Sequence, residues 1–193
     1  MSIKKIRKLP TTEYLRACFN YDPDTGILTW RARPKGHFAS SKNNSHATIN
    51  TRKSGKPAGT RRGVTGYVIV TMSNKMFYSH RVIWKLVTGE DPEGEIDHRN
   101  RDKGDNRWLN LRQATHAQNT HNRPRMGDNT TGYKGVYLDK RRGRCKKWGA
   151  VIEVTGRRRF LGLYNTPDAA AAAYSKAALH LQGDYSCDNS AVI

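Results

Sequence analysis

The chain has 193 residues, and its 35 Lys and Arg residues against 16 Asp and Glu residues give a formal charge of +19. This length allows one large or two small domains. Such a positive charge predicts a polyanionic partner, with nucleic acid as the first candidate and an anionic membrane surface as the second. The membrane is the weaker candidate because no apolar run approaches transmembrane length. The cations also do not lie on the polar side of a helix with an apolar face.

The first 63 residues begin with short regular elements. The pattern predicts a short helix from Thr12 to Phe19, a turn at 22–26 and a strand at 27–30. Residues 31–63 are poor in apolar groups and rich in Gly, Ser, Asn, Lys and Arg. We interpret them as a long, basic and partly flexible loop, and the sequence leaves open whether this loop is ordered without nucleic acid.

A hairpin and a helix are predicted next. Strands at 67–72 and 76–78 flank the turn Ser73-Asn74-Lys75. Ser79 is expected to cap a helix from His80 to Val87, which Gly89 and Pro92 then end.

A strand–loop–strand–helix pattern follows within about 28 residues. The strands are predicted at 95–98 and 110–112, on either side of an Asn-, Asp- and Gly-rich loop. Thr115 precedes the helix, and Gln118 three residues later completes a capping box.

The C-terminal part has a different pattern, after a polar segment at 124–132 that is typical of a linker. Three strands are predicted at 133–138, 147–154 and 158–164, followed by an Ala-rich helix from Asp168 to Leu181. The fold class predicted for the whole chain is therefore α+β.

Charge is unevenly spread along the chain. Residues 31–85 contain 12 Lys and Arg residues and no acidic residue, and residues 123–160 contain 12 against three acidic residues. Residues 86–122 contain seven acidic residues against five basic ones. Carboxylates repel phosphate, so an acidic island between two basic blocks favours a metal-dependent nuclease, whose hard cation takes oxygen ligands.

Four residues of this island suit phosphodiester hydrolysis. His98 is the candidate general base, because imidazole titrates near neutral pH. Asp97 and Asn119 are candidate oxygen ligands for Mg²⁺ or Mn²⁺. Asn110 is the candidate for orienting His98, through a hydrogen bond to its ring or backbone. His80 is expected to pack near the site in a structural role.

The cysteines Cys18, Cys145 and Cys187 are odd in number and form no CxxC pair, so they support neither a disulfide framework nor a thiolate zinc site. The N-terminus has positive charge without a following apolar stretch and does not match a secretory signal. We therefore expect a cytoplasmic protein.

The segments Asp97-His98, Asn110-Leu111-Arg112 and Gln118-Asn119 resemble the HNH endonucleases, and the phage and intron-encoded homing group in particular. The segments His80-Arg81 and Asp105-Asn106-Arg107 also resemble that group. The resemblance covers roughly residues 14–123. It implies a ββα-metal core, one catalytic divalent cation, double-stranded DNA as the substrate, and products with 5′-phosphate and 3′-hydroxyl ends. A phage protein of this kind would act in the cytoplasm of the bacterial host.

Residues 133–185 resemble the plant ethylene-response-factor (APETALA-type) DNA-binding domain. The resemblance rests on the segments Tyr133-Lys134-Gly135-Val136, Trp148-Gly149-Ala150 and Leu161-Gly162 and on the Ala-rich helix. It implies a three-stranded antiparallel sheet packed on one helix, with the sheet in the major groove of DNA. The residues expected to contact DNA are cations, either at matching positions or in the basic loops: Lys134, Arg141, Arg142, Arg144, Lys146, Lys147, Arg157, Arg158 and Arg159.

These patterns predict four segments: an N-terminal extension at 1–63, a nuclease core at 64–123, a linker at 124–132 and a DNA-binding domain at 133–193. The favoured prediction is that the protein is a metal-dependent DNA endonuclease with no small-molecule substrate. One alternative is a non-enzymatic DNA-binding regulator with an inactive nuclease fold. Another is an RNA-binding protein, although a major-groove sheet suits B-form DNA better than A-form RNA.

Overall fold

The computed structural model describes residues 8–38, 45–123, 129–141, 147–154 and 156–187. The chain divides into two compact units, Met1–Gln113 and Ala114–Ile193, and both contain helix and sheet. None of the helices in these described ranges is long and apolar enough to cross a membrane. Cys18 and Cys187 are buried and are not in a disulfide, and Cys145 lies outside the described residues.

The first unit begins with a helix that leads directly into a hairpin. Thr11 caps this helix by accepting a hydrogen bond from the backbone of Tyr14. The predicted turn at 22–26 and the predicted strand at 27–30 are confirmed. The predicted helix ends one residue early, at Cys18, because Phe19 belongs to an additional strand that was not predicted. The elements are α1 (Thr12–Cys18), β1 (Phe19–Asp22) and β2 (Ile27–Trp30), and β1 pairs antiparallel with β2.

The prediction of a long loop at 31–63 is wrong in part. The segment contains a helix and a strand, α2 (Ser45–Lys53) and β3 (Thr60–Arg61). Residues 39–44 lie outside the described part. Order here comes from backbone hydrogen bonds: the N–H of Trp30 donates to Lys56, and that of Ala58 donates to Leu28. The segment needs few apolar residues because it pairs with a strand that already belongs to the core.

A three-stranded antiparallel sheet and a helix complete the core of the first unit. The elements are β4 (Val68–Met72), β5 (Lys75–Tyr78) and α3 (Ser79–Thr88), with the sheet in the order β3-β4-β5. Ser73 and Asn74 both have positive φ, as a two-residue hairpin turn requires. Val82 and Ile83 of α3 are fully buried, and α3 packs against α1, β4 and β5.

Ser79 does not cap α3, which corrects that prediction. Strand β5 runs directly into the helix, so Tyr78 occupies the cap position and Ser79 is already helical. The Ser79 side chain is buried, and its hydroxyl has no hydrogen-bond partner among the described residues. Gly89 ends the helix in the left-handed conformation with φ 87°, as predicted.

The predicted strand–loop–strand–helix order is confirmed. Strand β6 (Glu95–His98) pairs with β7 (Leu111–Ala114), and the loop between them ends in a 3₁₀ turn that contains Asn110. Helix α4 (His116–His121) begins with the predicted capping box of Thr115 and Gln118. This helix is counted with the second unit.

The second unit also contains a three-stranded antiparallel sheet with one helix against it. The elements are β8 (Val136–Leu138), β9 (Trp148–Val154), β10 (Arg157–Tyr164) and α5 (Pro167–Gln182), and β9 is the central strand. Ala150 packs with Ala170 and Ala171, so small side chains let α5 lie close to the sheet. Gly135 has φ 73°, and a Cβ there would overlap the ring of Tyr174.

Candidate functional site

Asp97 lies at the end of β6 in a buried ion pair with Arg112 of the neighbouring strand β7. The Nε and Nη2 atoms of Arg112 lie 2.8 and 2.7 Å from Oδ2 of Asp97. Their side chains are 7% and 5% exposed, respectively, so solvent screens the pair very little. The guanidinium therefore fixes the direction of the Asp97 carboxylate. From the sequence alone, Arg112 has no role beyond its place in the motif.

His98 follows Asp97 and is enclosed by other rings and by an amide. Its Nε2 lies 3.1 Å from Oδ1 of Asn106. An amide oxygen only accepts hydrogen bonds, so this contact favours the tautomer with the proton on Nε2 and Nδ1 as the basic nitrogen. Burial lowers the pKa of His98 below its usual value, although Asn106 and the nearby carboxylate of Asp97 oppose this. The neutral imidazole, which is the form that accepts a proton, is thereby favoured.

The N-terminal hairpin supports Asn106. The hydroxyl of Tyr21 on β1 donates to the backbone oxygen of Asn106 at 2.8 Å. Gly26 has φ 74°, and a Cβ there would overlap the backbone between Asn106 and Arg107. The N–H of Trp108 also donates to the carbonyl of Pro23 at 3.0 Å. The residue that touches the His98 ring is thus held by a part of the chain far away in sequence.

Asn110 holds the loop and not the ring. Its Oδ1 accepts from the N–H of Asn100 at 2.9 Å, and its Nδ2 donates to the carbonyl of Asp105 at 2.7 Å. Its own carbonyl accepts from the N–H of Arg99, the residue after His98. The expected orienting contact to the His98 ring therefore belongs to Asn106, while Asn110 ties both ends of the loop together.

His80, at the start of α3, packs against His98 as expected. The two ring centroids are 5.2 Å apart, with the planes at 88°. The ring of Tyr67 lies beside both histidines. Burial lowers the pKa of His80 well below its usual value, and its Nδ1 has no hydrogen-bond partner in the described part of the chain. A neutral, buried ring thus forms one wall around His98.

The metal ligands expected from the sequence lie in different units. Asp97 is in the first unit, and Asn119 lies partly buried on α4 in the second. Among the described residues, no three His, Cys, Asp or Glu side chains gather as a metal cluster. A carboxylate and an amide offer oxygen atoms only, which suits Mg²⁺ or Mn²⁺, because such ions keep several waters and bind substrate phosphate.

Two of the cations expected to contact DNA make contacts within the second unit. The Nζ of Lys134 donates to the carbonyls of His121 and Arg123 at 2.6 and 2.7 Å, near the end of α4. Arg141 forms an ion pair with the buried carboxylate of Asp139 at 2.7 Å. Asp139 therefore offsets the charge of Arg141 and orders the chain after β8.

The remaining cations are divided between the two faces of the sheet. Facing residues of antiparallel strands lie on the same side. Arg159 pairs with Ile152, which packs against α5, whereas Arg158 pairs with Glu153 on the opposite face. Arg157 therefore shares the side of Arg159. These three and Lys147 are exposed. Three further candidates lie outside the described residues: Arg142, Arg144 and Lys146.

Part of the chain matches a known family. Residues 77–121 match the family model described as HNH endonuclease. No curated protein matches the chain. The matched segment covers less than half of the chain and includes β6, β7, the loop between them and α4. HNH nucleases generally use a divalent metal ion, and the family implies DNA as the substrate. Residues 77–121 therefore form an HNH endonuclease domain.

Proposed function

We propose that the protein is a metal-dependent DNA endonuclease of the phage or homing type, in which His98 is the general base. The observation that supports this most is the buried contact between His98 and Asn106, next to the Asp97–Arg112 pair, within the segment that matches HNH endonucleases. The contact with Asn106 leaves Nδ1 as the nitrogen that accepts a proton.

In this reaction His98 takes a proton from the attacking water. Asn106 holds the ring and its tautomer through Nε2, and Asn110 keeps the loop that contains Asn106 in place. The His80 ring packs against the base and limits its movement. Holding the base in one orientation removes the entropic cost of aligning it with each substrate.

Asp97 and Asn119 are the proposed metal ligands, Asn119 on the sequence motif alone. A bound divalent cation would offset the negative charge that develops on the phosphorane and on the leaving oxygen. Asp97 suits a metal ligand because Arg112 fixes its carboxylate in one direction. The products then have 5′-phosphate and 3′-hydroxyl ends, as the family resemblance implies.

The second unit is the proposed DNA-affinity module, with its sheet as the reading surface. The exposed cations Lys147, Arg157, Arg158 and Arg159 support phosphate contacts. Because Arg158 lies on the face away from α5, it has better access to a groove than Arg157 and Arg159. Lys134 and Arg141 make a smaller contribution in this proposal, since their charges already have partners.

The function is tested by incubating the full chain with supercoiled DNA, with or without Mg²⁺ or Mn²⁺, and separating the products on a gel. We expect metal-dependent conversion to nicked circles. Tight DNA binding without cleavage under any metal condition would favour the regulator instead. Preferential cleavage or binding of RNA would contradict the DNA substrate.

Asn106→Ala tests whether this amide positions the base. The support from Tyr21 reaches the backbone oxygen of Asn106, so it survives the substitution and the loop keeps its path. We expect the single-turnover rate of cleavage to fall roughly tenfold to a hundredfold with little change in DNA affinity, because partners that orient a reacting group have effects of that size. Single-turnover cleavage rates and DNA-binding curves measure the two quantities.

Asn20→Ala is the matched control, since Asn20 is an exposed asparagine on β1. It is expected to cleave at the native rate. If Asn106→Ala cleaves DNA at the native single-turnover rate, the contact with the His98 ring has no role in catalysis.

A further inference from the structure

The first unit has a basic region that belongs neither to the catalytic site nor to the C-terminal sheet. Residues 31–63 include nine Lys and Arg residues and no acidic residue. The structure shows that most of the stretch at 31–63 is folded, with α2 and β3 in it. Several of its cations are exposed: Arg31, Lys35, Arg52, Lys53, Lys56 and Arg62.

Two of the cations in this region converge on one aromatic ring. The Cζ of Arg33 lies 4.6 Å from the ring centroid of Trp30, and the Nζ of Lys53 lies 5.3 Å from the same ring. Interaction with the ring stabilises each cation only modestly. Like charges near one ring repel each other, and a phosphate that contacts both cations would offset this repulsion.

The pair is built into the fold. The side chain of Asn50 on α2 accepts from the N–H of Arg33 at 3.0 Å and donates to its carbonyl at 2.9 Å. Lys53 lies in the last turn of the same helix, and the backbone after it pairs with β2 through the Trp30–Lys56 hydrogen bond. The backbone at both positions is thus held before any ligand arrives, which lowers the entropic cost of binding.

The same region reaches the catalytic loop. Arg61 on β3 forms an ion pair with Asp102 at 2.5 Å, and its guanidinium lies against Gly104. Asp102 and Gly104 belong to the loop between β6 and β7, which also contains Asn106. A DNA strand bound along the basic region would therefore be attached to the same compact unit as the base.

We infer that Arg33 and Lys53 form a phosphate-binding pair for the backbone of duplex DNA, on a surface of the nuclease unit distinct from the C-terminal sheet. The inference rests on the proposed function for its substrate. Charge complementarity identifies the ligand. Many exposed cations, in a segment without acidic residues, suit an extended polyanion better than a small anion.

The double variant Arg33→Gln/Lys53→Gln in the full chain tests this pair. Binding to two unrelated duplexes is measured over a range of salt concentrations. Each lost phosphate contact lowers the slope of log K against log salt by about 0.9, so the double variant is expected to lower it by about 2. Affinity should fall roughly tenfold at moderate salt and equally on both sequences. Lys53→Gln alone, at an exposed position, should lower the slope by about half as much.

Arg16→Gln/Lys176→Gln is the control, because it removes the same net charge at two other exposed positions. A slope for the Arg33/Lys53 variant equal to that of this control would overturn the inference, as would a loss of affinity confined to duplex RNA. Cleavage by the native protein tests the proposed function separately. If the double variant lowers the slope but the native protein does not cleave DNA, the phosphate-binding pair is supported and the proposed endonuclease activity is contradicted.

Discussion

His98→Ala is expected to lower the rate of DNA cleavage by about 10² to 10⁴, the range that positioned general bases contribute. The physical reason is the loss of Nδ1, the nitrogen that the contact with Asn106 leaves free of a proton. DNA affinity should stay close to native, because His98 is almost fully buried and burial lowers its pKa, which favours the uncharged ring. Single-turnover cleavage and metal-free binding curves measure the two effects.

His180→Ala is the control for this substitution, since His180 is exposed in the last turn of α5. It should cleave at the native rate. Cleavage by a folded His98→Ala protein within a few fold of native would contradict the role of His98 as the base.

Asp97→Ala is expected to destabilise the fold as well as to abolish cleavage. It leaves the Arg112 guanidinium buried without its carboxylate, and breaking a buried pair in this way costs about 3–5 kcal/mol. Asp97→Asn keeps the size of the side chain and an oxygen that accepts from Arg112. We therefore expect a smaller loss of stability for Asn than for Ala, but a similarly severe loss of cleavage. Urea unfolding and cleavage assays compare the two variants.

Asp24→Ala is the matched control, because Asp24 is exposed in the hairpin turn. Its unfolding midpoint and its cleavage rate should both remain native. Equal unfolding midpoints for Asp97→Ala and the native protein would contradict a stabilising role for the Asp97–Arg112 pair. Native cleavage by Asp97→Asn would exclude the carboxylate charge from catalysis.

Local patterns were enough to predict the elements that present the site. The capping box of Thr115 and Gln118 and the strand ending in Asp97-His98 depend on neighbours within a few residues, and both are confirmed. The cap at Ser79 was predicted wrongly. Strand β5 enters α3 without a connecting loop, and a serine before an apolar stripe does not reveal this.

Contacts between distant residues could not be predicted in the same way. Tyr21 and Asn106 are 85 residues apart, and their hydrogen bond helps set the path of the loop that brings Asn106, and not Asn110, to the His98 ring. The segment Asp105-Asn106-Arg107 drew attention to this position, but residue types alone did not show which amide meets the ring.

The order in residues 45–63 was missed for a related reason. The apolar content of a segment indicates how many of its own side chains can be buried in a core. This segment is instead ordered by backbone hydrogen bonds to the buried strand β2. Asn50 and the cations around Trp30 then hold it with polar contacts that no hydrophobic periodicity reveals.

The central claim is that the protein hydrolyses DNA with a metal ion and the base His98. The most direct test removes the metal from the native protein with EDTA, restores it with Mg²⁺ or Mn²⁺, and identifies the ends of the cut strand. We expect cleavage to stop with EDTA, to return with the metal, and to leave 5′-phosphate and 3′-hydroxyl ends. Cleavage that continues undiminished in EDTA, or ends that carry a 3′-phosphate, would contradict this account.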